Sequence, residues 1–115
     1  MGERRAYTRL KLYYPVRLYP GHSTRVVETL TKDLAAGGCR SLSATVIPVA
    51  SELRVELQLP SGREPVTARG RAVWFRSIPE SEQFDVGIIF SDLSAADKRR
   101  LSACLEDAAS HPALV

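Results

Sequence analysis

This sequence is poor in the residues from which catalytic and metal sites are built. Its 115 residues include two histidines, His22 and His111, and two cysteines, Cys39 and Cys104. No pair of these stands at the CxxC or HxxxH spacing that presents two ligands to one metal ion, so no metal site is expected. The cysteines read as small hydrophobes of a reducing compartment. GxSxG, Walker A and HExxH are all missing, and both histidines fall in turn-like or terminal contexts, where a Ser–His–Asp arrangement would need an activated base. Glu80 and Glu82 lie in a polar stretch and read as solvated. No enzyme and no catalytic residue is expected. Long apolar runs are missing too: nothing approaches the ~20 residues of a membrane helix. The opening MGERRAYTRLKLYY has no apolar stretch after its charges, and Tyr7 stands where a myristoylation signal carries Ser or Thr. The expectation is a cytoplasmic chain with no membrane insertion.

What is present is the composition of one ordinary globular domain, 44% hydrophobic and 25% charged, with no repeat or low-complexity stretch. The net charge of +3 is unevenly spread. Residues 1–27 carry six basic side chains and one acid, whereas residues 28–115 carry ten basic and twelve acidic ones. Thirteen of the sixteen cations are arginine, whose planar fork suits phosphate and the guanine edge and stacks on flat rings. A solvated basic tail is the plainer reading of the same residues.

The hydropathy pattern has period two over most of the length. Residues 1–9 read as a mobile arm. From Lys11 to Tyr19, Leu12, Tyr14, Val16 and Leu18 share one face, with Pro15 suggesting an edge or bulge. A turn at Pro20-Gly21 precedes a second strand, Arg25–Lys32, which Asp33–Gly38 breaks. Cys39–Ser43 reads as a short strand. Leu53, Val55, Leu57 and Leu59 alternate with polar residues; Val66–Phe75 alternates through Ala68, Gly70 and Ala72; Phe84, Val86, Ile88 and Phe90 alternate again. Ser94-Ala95-Ala96-Asp97 then looks like a capping box, and Leu101, Cys104, Leu105 and Ala108 follow at helical spacing. Short antiparallel strands and one helix over about 94–109 predict a small barrel or curled sheet whose open side the helix covers.

Two local motifs are more specific. One is Glu3-Arg4-Arg5-Ala6-Tyr7-Thr8-Arg9; the other is Asp33-Leu34-Ala35-Ala36-Gly37-Gly38. Together they resemble the two signatures of PilZ domains, an RxxxR arm matched by Arg5 and Arg9, and a D/N-x-S/A-x-x-G turn matched by Asp33, Ala35 and Gly38. Leu59-Pro60, Val73-Trp74, Val86-Gly87 with Phe90, and the capped helix continue the likeness over nearly the whole length. Many members carry Ser where Ala35 stands, so one hydroxyl contact is lost.

The resemblance implies a mostly β fold, a six-stranded antiparallel barrel with a C-terminal helix, divided as a basic arm at 1–10 and a single barrel domain at 11–110. It also implies a bacterial receptor for cyclic di-GMP, with no other cofactor. Arg5 and Arg9 would donate to phosphate oxygens or to guanine O6 and N7. Asp33 would accept from the guanine N1–H and N2–H₂ edge. Gly37 and Gly38 would allow close approach or positive φ. Trp74 would pack on a base, or else be a core or rim aromatic. In the family, an arginine before the RxxxR arm goes with a self-stacked ligand pair, so Arg4 points to two nucleotides per chain. An unidentified protein partner would read the bound state, and no DNA binding is expected. The alternatives are a PilZ-like adaptor without nucleotide, as in pilus assembly, and a barrel for single-stranded nucleic acid. Aromatics at 7% argue against the last, which needs a row of stacking rings.

Overall fold

The computed structural model of the chain describes residues 9–21, 23–60, 62 and 64–110. Six strands, β1 (Pro15–Pro20), β2 (Val27–Ala35), β3 (Gly38–Ser43), β4 (Glu52–Leu57), β5 (Val66–Ser77) and β6 (Phe84–Leu93), precede one helix, α1 (Ala95–Ser110). All pairings are antiparallel in the order β1-β2-β3-β6-β5-β4, and β4 pairs back onto β1 to close a barrel. Closure gives every strand of the barrel a partner on both sides over part of its length. The alternating positions meet inside: Val16 and Leu18, Leu53, Val55 and Leu57, Val66, Ala68 and Ala72, and Val86 and Ile88 are all buried in one core. Among the described residues no helix is long and apolar enough to cross a membrane.

The helix seals this core. Leu101 is fully buried, and Cys104 and Leu105 pack against the core from the same stripe. Its N-terminus is capped by half of the expected box. Ser94 Oγ accepts the Asp97 amide at 3.0 Å. The return bond is replaced, because the Asp97 carboxylate accepts the Thr67 amide at 3.1 Å and pairs with Arg100 at 3.1 Å. The cap therefore ties the helix to β5 as well as starting it.

Several element boundaries differ from the pattern reading. The first strand begins at Pro15, not Lys11. Before it, the Thr31 hydroxyl replaces ladder bonds, donating to the Leu12 carbonyl at 2.6 Å and accepting the Tyr14 amide at 3.0 Å. Pro15 is thus the first residue of a strand bonded on both sides, a place that spares its missing N–H, rather than an edge residue. The second strand runs on through Asp33 to Ala35, so the turn is only Ala36-Gly37. Asp33 is accordingly a buried strand residue, 4% exposed.

Two bulges decide which side chains face outward. In β2 the pairs Thr31↔Ser41 and Asp33↔Arg40 leave Lys32 as an extra residue. In β5 the pairs Ala72↔Ile88 and Trp74↔Gly87 leave Val73 extra. Strict alternation would put Asp33 on the inner face with Thr31, and Trp74 with Ala72. One inserted residue reverses the parity of everything after it. Leu34 and Phe75 turn toward the core, and Asp33 and Trp74 turn out.

Candidate functional site

The outward-turned residues form one row across four strands. Asp33 on β2 faces Arg40 on β3, Arg40 faces Gly87 on β6, and Gly87 faces Trp74 on β5. Over this row lies an open groove of about 380 Å³, lined by Arg9, Ala35, Gly37, Gly38, Arg40, Val73, Trp74, Gly87 and Ile89, with Cys39 and Ile88 at its floor. Two backbone hydrogen bonds between Leu10 and Leu34, of 2.9 and 2.8 Å, pin the chain beside Asp33 and so hold Arg9 at the groove.

Asp33 lies beneath the two arginines. Its Oδ2 is 3.0 Å from Arg40 Nε, and its Oδ1 is 3.7 Å from Arg9 Nε. Asp33 Oδ1 and Arg40 Nε are both buried, and neither has a hydrogen-bond partner among the described residues. A buried acceptor without a donor is costly, so this carboxylate is disposed to take up N–H groups from an incoming molecule. Cys39, at the floor, is buried; burial above all pushes its thiol up to about 11, outweighing the hydrogen bond to Ser41. It is therefore neutral at physiological pH and unsuited to be a nucleophile.

Two glycines are needed for space. A Cβ at Gly38 would collide with the Ile88 carbonyl oxygen, so only glycine lets β3 approach β6 there. The tolerance of positive φ that Gly37 and Gly38 offer is not used, as no described glycine has one. A Cβ at Gly87 would strike the indole of Trp74. The ring lies against the sheet where β6 has no side chain, half-buried and outside the core.

Of the residues singled out from sequence, Arg9, Asp33, Ala35, Gly37, Gly38 and Trp74 are brought together here. Arg4 and Arg5, with the rest of the arm through Thr8, lie outside the described residues. Ala35 presents a methyl group to the groove and no hydroxyl. Sequence reasoning missed Arg40 and Gly87. A signal for Arg40 existed: a two-residue turn at Ala36-Gly37 puts position 40 opposite position 33. Among the described residues no group of His, Cys, Asp and Glu is arranged to hold a metal ion. One wall of the groove is aromatic and aliphatic, the other is cationic, and the acceptor-only Asp33 lies behind that cationic wall, paired with Arg9 and Arg40. Such a site suits a ligand with flat rings, negative charge and a paired donor edge.

Comparisons agree with this architecture. The sequence model of the PilZ domain matches residues 3–107. Comparison with curated proteins gives no match. Among solved structures, the inhibitor of motility MotI/DgrA of Bacillus subtilis is similar at TM-score 0.79 and 20% identity, over 94% of this chain and 52% of that one. YcgR of Escherichia coli, solved in complex with c-di-GMP, is similar at TM-score 0.77 and 14% identity, over 95% and 47%. The MrkH–c-di-GMP complex of K. pneumonia gives TM-score 0.80 and 20% identity, over 96% and 54%. The chain thus spans about half the length of each of these, and at such identities the likeness establishes the fold.

Proposed function

The chain belongs to the PilZ domain family, and on that premise we propose that it is a non-catalytic, cytoplasmic receptor for cyclic di-GMP. The observation that carries the reading is Asp33: a buried carboxylate, one oxygen of which has no hydrogen-bond partner among the described residues, set under Arg9 and Arg40, which line a groove walled by Trp74. Guanine offers N1–H and N2–H₂ as a paired donor edge, which a carboxylate accepts and which adenine, with an acceptor at N1, lacks. Arg9 and Arg5 donate to phosphate oxygens or to the guanine O6/N7 edge, and Arg40 adds a cation that the motif alone did not indicate. The indole gives a base a flat apolar surface. Gly38 and Ala35, with no side chain or only a methyl group, leave the groove open enough for a purine.

Arg4 supplies a third cationic fork in the arm. A stacked pair of ligands brings four phosphates, so we assign two nucleotides to each chain. The arm, residues 1–10, folds over the ligand and with Val73 and Ile89, both exposed at the groove, makes the surface that a downstream protein reads. YcgR and MrkH have been solved with c-di-GMP, which supports the choice of ligand.

Calorimetry tests this reading. Wild-type protein should bind cyclic di-GMP with Kd on the order of micromolar or tighter, more weakly as salt rises. Arg9→Ala should weaken binding by about 1.5–3 kcal/mol, the scale of a charge-assisted hydrogen bond. Absence of binding to cyclic di-GMP, or a stronger response to a single-stranded oligonucleotide, would overturn it.

A further inference from the structure

A second buried carboxylate lies on the same outer face, away from the groove lining. Asp85 sits two residues before Gly87 on β6 and is 5% exposed. Its Oδ1 is 3.0 Å from Lys32 Nζ, and its Oδ2 is 3.8 Å from Arg76 Nη2. Lys32 is the extra residue of the β2 bulge, the one that turns Asp33 outward. Arg76 lies two residues beyond Trp74, and its guanidinium carbon is 5.3 Å from the indole centroid. Ion pairs to one buried carboxylate are poor evidence of stabilisation, because its desolvation offsets the attraction and solvent screens the exposed partner. They do restrict geometry, and here one carboxylate grips a neighbour of Asp33 with one oxygen and a neighbour of Trp74 with the other.

We infer that Asp85, Lys32 and Arg76 are positioning residues that set both ends of the groove, the carboxylate reader and the stacking platform, in fixed relation. This inference rests on the groove being the nucleotide site. Lys32, held by Asp85, keeps the extra residue at position 32. A bulge free to move along the ladder would return Asp33 to the inner face. Arg76, held at the other carboxylate oxygen, lies over the indole and fixes its tilt against Gly87. Asp85 therefore contributes to binding without touching the ligand.

Trp74 is the only tryptophan of the chain, so its emission reads the platform with no nucleotide present. Acrylamide quenching of ligand-free protein should rise in Arg76→Ala and in Asp85→Asn, and return toward wild type in Arg76→Lys. Arg76→Ala should weaken cyclic di-GMP binding by about two- to fivefold, the scale of a lost cation–π contact at an exposed site. The same substitution should have no further effect in a Trp74→Ala background, because Arg76 acts through the ring. Lys32→Met should narrow the preference for cyclic di-GMP over cyclic di-AMP by a similar factor, through Asp33. Unchanged quenching in Arg76→Ala, whose side chain is 65% exposed and whose loss the fold tolerates, would refute the platform role even if Asp85→Asn unfolds. An effect of Arg76→Ala that persists without Trp74 would make Arg76 a direct ligand contact and refute positioning. A wild-type protein that ignores cyclic di-GMP would end the receptor reading, while the quenching measurements still decide the inference.

Discussion

Replacing Asp33 by alanine separates a reading residue from a turn residue. A solvated turn aspartate could be truncated with little effect on stability. Asp33 instead has a side chain 6% exposed, 3.0 Å from an Arg40 whose own side chain is 26% exposed. Truncation leaves the buried Arg40 Nε without its counter-charge. The full cost for a deeply buried pair is about 3–5 kcal/mol. Arg40 can turn partly to solvent, so a loss of about 1.5–3 kcal/mol is expected, roughly 5–15 °C in Tm for a domain this size. Removing both charges in Asp33→Ala/Arg40→Met should recover much of this, since the ion left without a partner is then Arg9, which is half-exposed and stays solvated. The ligand effect is separate. Two guanine donors lose their acceptor, so cyclic di-GMP affinity should fall about 10- to 150-fold, while cyclic di-AMP, which never used the carboxylate, should change far less. Thermal melting of the single and double variants, with calorimetry against both dinucleotides, measures each part. An unaltered Tm would contradict the buried-pair account. A wild-type preference for cyclic di-GMP retained in Asp33→Ala would remove Asp33 as the reader.

Gly38→Ala should destabilise the barrel by about 1–3 kcal/mol, because its Cβ meets the Ile88 backbone oxygen rather than a movable side chain; urea unfolding checks this, and a neutral result would show that β3 and β6 can separate. Cys39, whose thiol is raised from 9.0 to about 11 by burial, makes stability fall at alkaline pH. The unfolded chain ionises first, so stability is intact below pH 9 and declines toward pH 11, by on the order of 2–3 kcal/mol in all. Cys39→Ala should flatten that decline in denaturant titrations. For stoichiometry, titration at protein concentrations well above Kd should end at two cyclic di-GMP per chain and move toward one in Arg4→Leu; a wild-type end point of one would reject the stacked pair.

How far the sequence reaches can be followed through particular elements. Leu53-Val55-Leu57 and Phe84-Val86-Ile88 alternate because each strand has one face in the core, and that alternation is visible in the chain itself. The change to helical spacing after Ser94 is equally local, and the helix buries Leu101 as its stripe required. The ordered motifs from Arg5 to Gly87 carried the family likeness. Each of these rests on residues near one another in sequence, where backbone geometry alone sets the side-chain direction.

The reach ends where a side chain's direction depends on a neighbouring strand. Trp74 shares the parity of Ala68, Gly70 and Ala72, and Asp33 that of Thr31, so an alternation argument assigns both to the interior. They face the groove because Val73 and Lys32 are unmatched across the ladder, and a bulge is a property of two paired strands, invisible in either one. Arg40 was recoverable only once the turn had shrunk to Ala36-Gly37. The Asp85 cluster joins residues 53 positions apart along the chain. Sequence by itself determined which segments form strands, the helix, the core faces of strands without a bulge and the family likeness. Closing the barrel decided which polar residues meet, since register and charge pairing between distant strands are settled by core packing and not by any local preference of the chain.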